Sequence, residues 1–486
     1  MTEYLKKNWL FILLLIDICF IILYPKFPLI NVVGTYVAIR IEDFLIALTL
    51  VLWFFKNLKN ILRYLSKTIT QAFILFWIAG FLSVLAGVYT AYEVTPHLGF
   101  LHWLRRIEVM GLFFVAATTI KSRSQVKLIL KTLIFVNLIV VLYGFGQIFL
   151  DFPVISTTNR EFSKGLVLKL TPGARPNSTF AGHYDLAVYL SMILTFLGAY
   201  FFYFEGKKNS FKNYLQKGLM LISGVASFIL LAFTAARLSF VATLGSLVIV
   251  LWLTGKKILI IGLVMLSIFA VGVVPELRHR LVATVTVNLI GGGGPKYNPP
   301  PGKVNIFTPQ DATSVASKEA VIKETIESTG SATASAKEAT ISADIAPGEP
   351  INTTELGVYR SFNIRTDVEW PRALRAFSKN PISGTGYSSL TIATDNDFLR
   401  SLGETGLLGT LSLILIFWLI IKTYLKDLKS LANFERLFII STIGSILAVL
   451  ATGLFIDVLE ASKIATIFWF ILGVGWAVAK GYKREL

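Results

Sequence analysis

The sequence predicts an all-α polytopic membrane protein with about twelve transmembrane helices and a long, partly helical extracytoplasmic loop between the ninth and tenth. Three observations carry that expectation. The chain of 486 residues is 54% hydrophobic and only 15% charged, whereas soluble domains carry roughly 25% charged residues. Apolar runs recur along it at about 17–25 residues, the length that crosses a hydrocarbon core of about 30 Å. Its net charge of +17 is divided unevenly between alternate loops. The excess of 46 Lys and Arg over 29 Asp and Glu would point to nucleic acid only if the basic residues clustered on a water-facing surface.

The runs lie near 8–24, 41–56, 69–90, 99–120, 127–150, 181–204, 218–235, 238–254, 258–274, 398–421, 437–456 and 464–480. The second is short and begins on polar Arg40, Glu42 and Asp43. The first follows Lys6 and Lys7, lacks a small-x-small cleavage site and runs into Tyr24-Pro25-Lys26, so it is expected to be a retained signal anchor. With the N-terminus placed inside, the short cytoplasmic segments hold 23 basic and 5 acidic residues. The loop 275–400 holds 13 of each, and the rest of the chain 10 basic and 11 acidic. Lysine and arginine concentrate in cytoplasmic loops, so the charge is an orientation signal. Both termini are then expected in the cytoplasm of a plasma (inner) membrane, and nucleic acid is not an expected partner.

The chain divides into helices one to nine (1–274), an extracytoplasmic loop (275–396) and helices ten to twelve (397–486). Within the loop, 290–355 contains Gly291–Gly294, Pro299–Pro301 and an Ala/Ser/Thr/Glu/Lys stretch. So little apolar surface cannot offset ordering entropy, and the segment is expected to be flexible apart from a short helix at 314–328. From 359 to 396, aromatic and apolar residues return and order is expected; Trp370, Leu374 and Phe377 form one apolar stripe. The single cysteine, Cys19, excludes an intrachain disulfide and a cysteine metal cluster; it is expected to be a small buried apolar residue.

Charged groups inside a span cost roughly 2.5–3.5 kcal/mol, so they point to function. Arg237 sits at the tight hairpin between the seventh and eighth runs, in FTAARLSFVA. Arg175 precedes Pro176, which holds it extended, and the Asn177-Ser178-Thr179 run supplies capping side chains ahead of His183 and Asp185. Arg360, Arg365, Arg372, Arg375 and Lys379 make the start of the ordered loop basic, which anionic lipid attraction would equally explain. Gly384 and Gly386 admit positive φ and close approach of a ligand. Asp395, Asn396 and Asp397 stand at the mouth of the tenth run, and Glu404 lies one to two turns inside it. Arginines hold phosphate bidentately, and a carboxylate or histidine can accept a hydroxyl proton. Both needs arise together when a glycan is transferred from a lipid diphosphate.

The RPNSTF…AVYL segment, the TAARLS hairpin, the R-x4-W…AL…F…NPISGTG block and DNDFLRSLGETGLLG resemble the O-antigen ligase and O-antigen polymerase superfamily. The likeness covers about 165–420 in patches. The resemblance implies a metal-independent, inverting membrane glycosyltransferase of cell-surface polysaccharide biosynthesis, without a cofactor. Its donor would be a polyprenyl-diphosphate-linked glycan; its acceptor, a glycan, a lipid core or a protein; and membrane lipids would surround it. Arg175, Arg237 and Arg365 match the family's arginines, which the resemblance assigns to the diphosphate. Asp395, Glu404 and His183 are the expected catalytic groups, with Gly384, Gly386 and Asn396 as the substrate loop. Two positions depart from the pattern: Ala236 stands where many members have Ser, and Asp395 where ligases have His. The second leans away from a lipid-core ligase and toward polymerase-like or other transferase members. Two other readings stand beside this one: a transporter or flippase for an anionic lipid-linked glycan, and a non-catalytic envelope scaffold.

Overall fold

A computed structural model of the chain describes residues 2–32, 38–91, 93–155, 167, 169–170, 174–201, 203, 211–285, 364–390, 394–426 and 428–483. The flexible segment expected at 290–355, and the helix expected at 314–328, lie outside the described residues. The described chain is almost entirely helical. In order, α1 (Thr2–Leu23), α2 (Ile41–Asn57), α3 (Ile61–Leu65), α4 (Thr68–Tyr89), α5 (Pro96–Thr119) and α6 (Arg123–Phe149) form the first part. Next come α7 (His183–Tyr200), α8 (Phe211–Phe233), α9 (Arg237–Leu253), α10 (Ile258–Val273) and α11 (Pro275–Ala283). After a π-helical turn at Ile364–Glu369, α12 (Trp370–Lys379), α13 (Asp397–Lys426), α14 (Asn433–Thr452) and α15 (Ser462–Ala479) complete the chain. A two-residue antiparallel pair, Ile30–Asn31 with Ala38–Ile39, joins α1 to α2.

Each of the twelve apolar runs is helical. Six helical stretches are long and apolar enough to cross a membrane: Ile41–Leu65, Thr68–Tyr89, Arg123–Phe149, Asp397–Lys426, Asn433–Thr452 and Ser462–Ala479. A bent pair, α10 with α11 at 100°, makes up to seven. The chain is therefore a membrane-embedded helical protein, but length and apolarity do not reach the expected twelve spans. The shortfall has a physical cause: α5 carries Arg105, Arg106 and Glu108, α7 opens on polar His183, Tyr184 and Asp185, and the apolar parts of α1, α8 and α9 are short.

The bundle is centred on α15, the most buried helix, which lies along α5, while α14 sits between α7 and α9 and α13 runs along α4. Without a hydrophobic drive between helices in lipid, close approach depends on small residues. Gly473 of α15 is such a point: a side chain there would run into the Phe113 carbonyl oxygen of α5. By contrast, α2 shows Phe44, Leu48, Val51 and Phe55 to its surroundings. Buried Lys463, at the start of α15, ties three segments together. Its Nζ donates to the carbonyls of Tyr24 (2.5 Å) and Thr179 (2.8 Å), joining the end of α1 to the loop before α7.

Candidate functional site: an arginine cluster beside two carboxylates

Three sequence-distant arginines meet at one end of the bundle. Arg175 lies in the loop before α7, and its guanidinium donates to His183 Nε2 at 2.5 Å. Arg237 opens α9, directly after a three-residue turn in which Ala235 takes a positive φ of 48°; its guanidinium reaches Thr284 Oγ1 at 2.5 Å. Buried Arg365, in the π-helical turn, holds Asp395 Oδ2 at 2.5 Å. Arg237 feels the charge of both Arg175 and Arg365, and that of a fourth, Arg280 of α11. Arg280 also faces His183. Arg280 could not be singled out from sequence, because the 100° bend between α10 and α11 that brings it to Arg237 is a tertiary feature.

The loop that carries Arg175 is locked to the bundle rather than capping α7. Gln147 Oε1 of α6 accepts from the amides of Asn177 (3.2 Å) and Ser178 (2.7 Å). Ser178 Oγ donates to the Val140 carbonyl and Thr179 Oγ1 to that of Ile22, each at 2.7 Å. The N-cap of α7 is Gly182, without a side-chain cap. The capping role expected of Asn177-Ser178-Thr179 is thus replaced by anchoring: Ser178 and Thr179 satisfy buried carbonyls of α6 and α1, while Asn177 Nδ2 donates to the carbonyls of Ile155 (3.1 Å) and Phe180 (2.9 Å).

A guanidinium only donates, so His183 Nε2 must accept, which places the ring proton on Nδ1. In this arrangement neither ring nitrogen is free to take a proton from a hydroxyl. The histidine orients Arg175.

Asp395 adopts a left-handed conformation, φ 50°, and the backbone on either side of it is pinned. Asp457, in the turn between α14 and α15, accepts from the amide of Thr394 through one oxygen (2.8 Å) and from that of Asn396 through the other (3.2 Å). Arg400 holds Asp457 at 3.1 Å and Glu404 at 3.3 Å. Burial pushes the Asp395 carboxyl above its ordinary range, outweighing the pull of Arg365. Glu369, at the end of the π-helical turn, lies within electrostatic reach of both. Its Oε2 is buried with no hydrogen-bond partner among the described residues. Burial, then the like charge of Asp395, push its carboxyl up to about 7 against Arg365 and Arg372. A carboxyl near neutrality is suited to general base work. Sequence reading missed it, because Glu369 sits in VEWPR, where the neighbouring basic residues dominated the pattern.

The remaining expected site residues have structural employment. Glu404 is buried in α13 and ion-paired to Arg400, lining a small cavity with Arg106, Tyr387, Asp397 and Ser401. Asn396 caps α13: its Oδ1 accepts from the amides of Phe398 (3.0 Å) and Leu399 (2.9 Å), while Nδ2 donates to Leu454 O at 2.9 Å. Gly384 and Gly386 have the positive φ expected, 73° and 99°. What approaches them, however, is the chain's own backbone. The α13 helix breaks at Gly406 (φ 62°), and the amides of Leu407 and Leu408 turn to the carbonyls of Pro381 and Ile382. The carbonyls of Gly403 and Glu404, freed by the break, accept from Thr385 and Gly386. The loop therefore mends a broken helix. The expected stripe on α12 also shifts: Ala373 and Ala376 are its buried face and Leu374 is exposed, since small side chains let α12 approach Gly403 closely.

Arg237 thus has Arg175, Arg280 and Arg365 around it, and Arg365 links that cluster to Asp395 and Glu369, a combination able to hold a polyphosphate and accept a proton. Among the described residues, no three His, Cys, Asp or Glu side chains are arranged to hold a metal ion. No protein-family model and no curated protein matches this chain.

Proposed function

We propose that the chain is a membrane glycosyltransferase of the O-antigen ligase and polymerase type. It would act at the outer face of the plasma membrane on a polyprenyl-diphosphate-linked oligosaccharide. The observation that carries this reading is the convergence of Arg175, Arg237, Arg280 and Arg365 beside Asp395 and Glu369. The acceptor is a glycan, a lipid core or a protein. Its hydroxyl oxygen attacks the anomeric carbon as the carbon–oxygen bond to the diphosphate breaks, with inversion. The hydroxyl proton passes to Glu369 or Asp395, and the diphosphate leaves with the bonding electron pair, its growing charge met by the arginines. Charge aimed in advance at a leaving group is usually the largest catalytic contribution. Twelve spans, both termini in the cytoplasm and an outward loop 275–396 belong to the same proposal, supported by the charge division between loops. The residue at 395 favours polymerase-like transfer over transfer to a lipid core.

The test uses the purified full chain with fluorescent polyprenyl-diphosphate oligosaccharides of varied sugar and a matched panel of acceptors, following release of polyprenyl diphosphate. Arg237→Ala and Arg365→Ala should each lower the rate on the order of 10²–10³. Wild-type rates in both variants would overturn the assignment. Movement of the labelled lipid across proteoliposomes with no transfer would favour the flippase reading instead.

A further inference from the structure

One buried carboxyl group has no part in the proposed reaction and lies inside the first apolar run. Asp17 stands between Ile16 and Ile18 in the apolar part of α1, Asn8–Leu23, and is 0% exposed. The Thr49 hydroxyl of α2 donates to its Oδ2 at 2.5 Å. Its Oδ1 is buried with no hydrogen-bond partner among the described residues. The helices packed against α1 are α2, α5, α6 and α15, and their cations are engaged elsewhere. Lys56 of α2 lies over the Trp9 ring, Arg105 of α5 pairs with Asp43, and Arg123 of α6 pairs with Glu435. Lys463 of α15 donates to the carbonyls of Tyr24 and Thr179. Among the described residues, the Thr49 hydroxyl is the one group that acts on the Asp17 carboxyl.

An ionised carboxylate presents about four acceptor positions to its surroundings, and this one has a single donor. Its charge would stand uncompensated inside a membrane bundle, where charged side chains are costly to place. A buried group in that position neutralises instead. In the neutral acid, Oδ2 is a carbonyl oxygen accepting from Thr49, and Oδ1, the oxygen that no donor reaches, carries the proton. We infer that Asp17 is a proton-binding site within the bundle, and that its proton holds α2 against α1. The α2 side of the contact fits this role. Glu42, Ile46 and Thr49 are the buried residues of α2, one stripe at helical spacing. The stretch Ile41–Leu65 is only 11% buried, against 44–94% for the other five spanning stretches, so α2 has the least else to keep it in place. Loss of the proton leaves a bare charge in the seam, and α2 parts from α1 to admit water.

Infrared difference spectroscopy of the full chain in lipid nanodiscs, with aspartate isotope-labelled at its side-chain carboxyl carbon, reads the protonation. Wild type minus Asp17→Asn should show the C=O band of a protonated carboxyl, displaced by the label. In Thr49→Val the band should persist at higher frequency, because the hydrogen bond to Oδ2 is gone. Loss of a carboxylate band in Asp17→Asn, or no difference at all, would overturn the inference. Hydrogen-exchange mass spectrometry then tests the hold on α2. Asp17→Asn, a neutral near-isostere, should keep wild-type amide protection across Ile41–Asn57. Asp17→Ala should raise exchange there at least about tenfold and leave Asn433–Thr452 unchanged. Wild-type protection of α2 in Asp17→Ala, or equal loss in the Asn and Ala variants, would defeat the idea. If the Asp17 variants fail to fold, wild type minus Thr49→Val decides alone: the inference fails without a shifted band of a protonated, labelled carboxyl.

Discussion

Glu369 and Asp395 show how little separates a structural carboxylate from a reactive one. Both lie near arginines, and both are shifted upward because burial disfavours the charged form. Glu369, poised at about 7, must lose its proton before it can accept one from a hydroxyl. The transfer rate should therefore rise as pH climbs from about 6 to 8 and then level. Glu369→Gln should be slow throughout and should lose that rise. A Gln variant that keeps both the wild-type rate and its pH profile would remove Glu369 from the reaction. Asp395 was legible in the sequence as one of three polar residues at the mouth of the tenth run. Its strained φ and the two-sided clamp by Asp457 were not, because Asp457 lies 62 residues further on in a turn with no motif of its own.

Among the helices, glycine is informative only where a neighbour comes close. Gly473 and Gly262 are indistinguishable in sequence, each a small residue in an apolar run. Only the first lies against a backbone carbonyl, that of Phe113, whereas nothing lies within 4 Å of a side chain added at the second. Gly473→Ala should therefore destabilise the folded chain by about 1–3 kcal/mol through overpacking, lowering its thermal midpoint in detergent. Gly262→Ala should leave the midpoint unchanged or slightly higher. Equal midpoints for the two variants would mean that α15 and α5 are not packed at that spacing. The break at Gly406 has the same character. Its glycine is visible in the sequence, but the exchange of hydrogen bonds with 381–386 that makes the break tolerable depends on two distant segments meeting.

Across the whole molecule, the charge division gives a testable orientation. In a Cys19→Ser background, single cysteines at 207 and 330 should differ in labelling by a membrane-impermeant maleimide. The cysteine at 330 should react in intact cells, and the one at 207 only after permeabilisation. Labelling of both from outside would defeat the twelve-span arrangement. The twelve apolar runs could be read from sequence because apolarity sustained over about 17–25 residues is a local property of the chain. The span count by length and apolarity stays at six to seven because α5 carries three charges, α7 opens on His183, Tyr184 and Asp185, and the apolar stretches of α1, α8 and α9 are short.

The sequence by itself determined the helical membrane class, the positions of the helices to within a few residues and which residue types were costly enough to notice. Those are local quantities, set by composition and period along one strand of chain. Only the tertiary structure decided which of the costly residues belong together. It joined Arg280 and Glu369 to Arg175, Arg237 and Arg365, assigned Asn396 and the two glycines to holding α13, and set Asp17 of α1 against Thr49 of α2. The physical reason is that charge acts through space. The bend between α10 and α11 brings Arg280 to Arg237, and the break in α13 pairs its backbone with 381–386; neither is written in the residues it brings together.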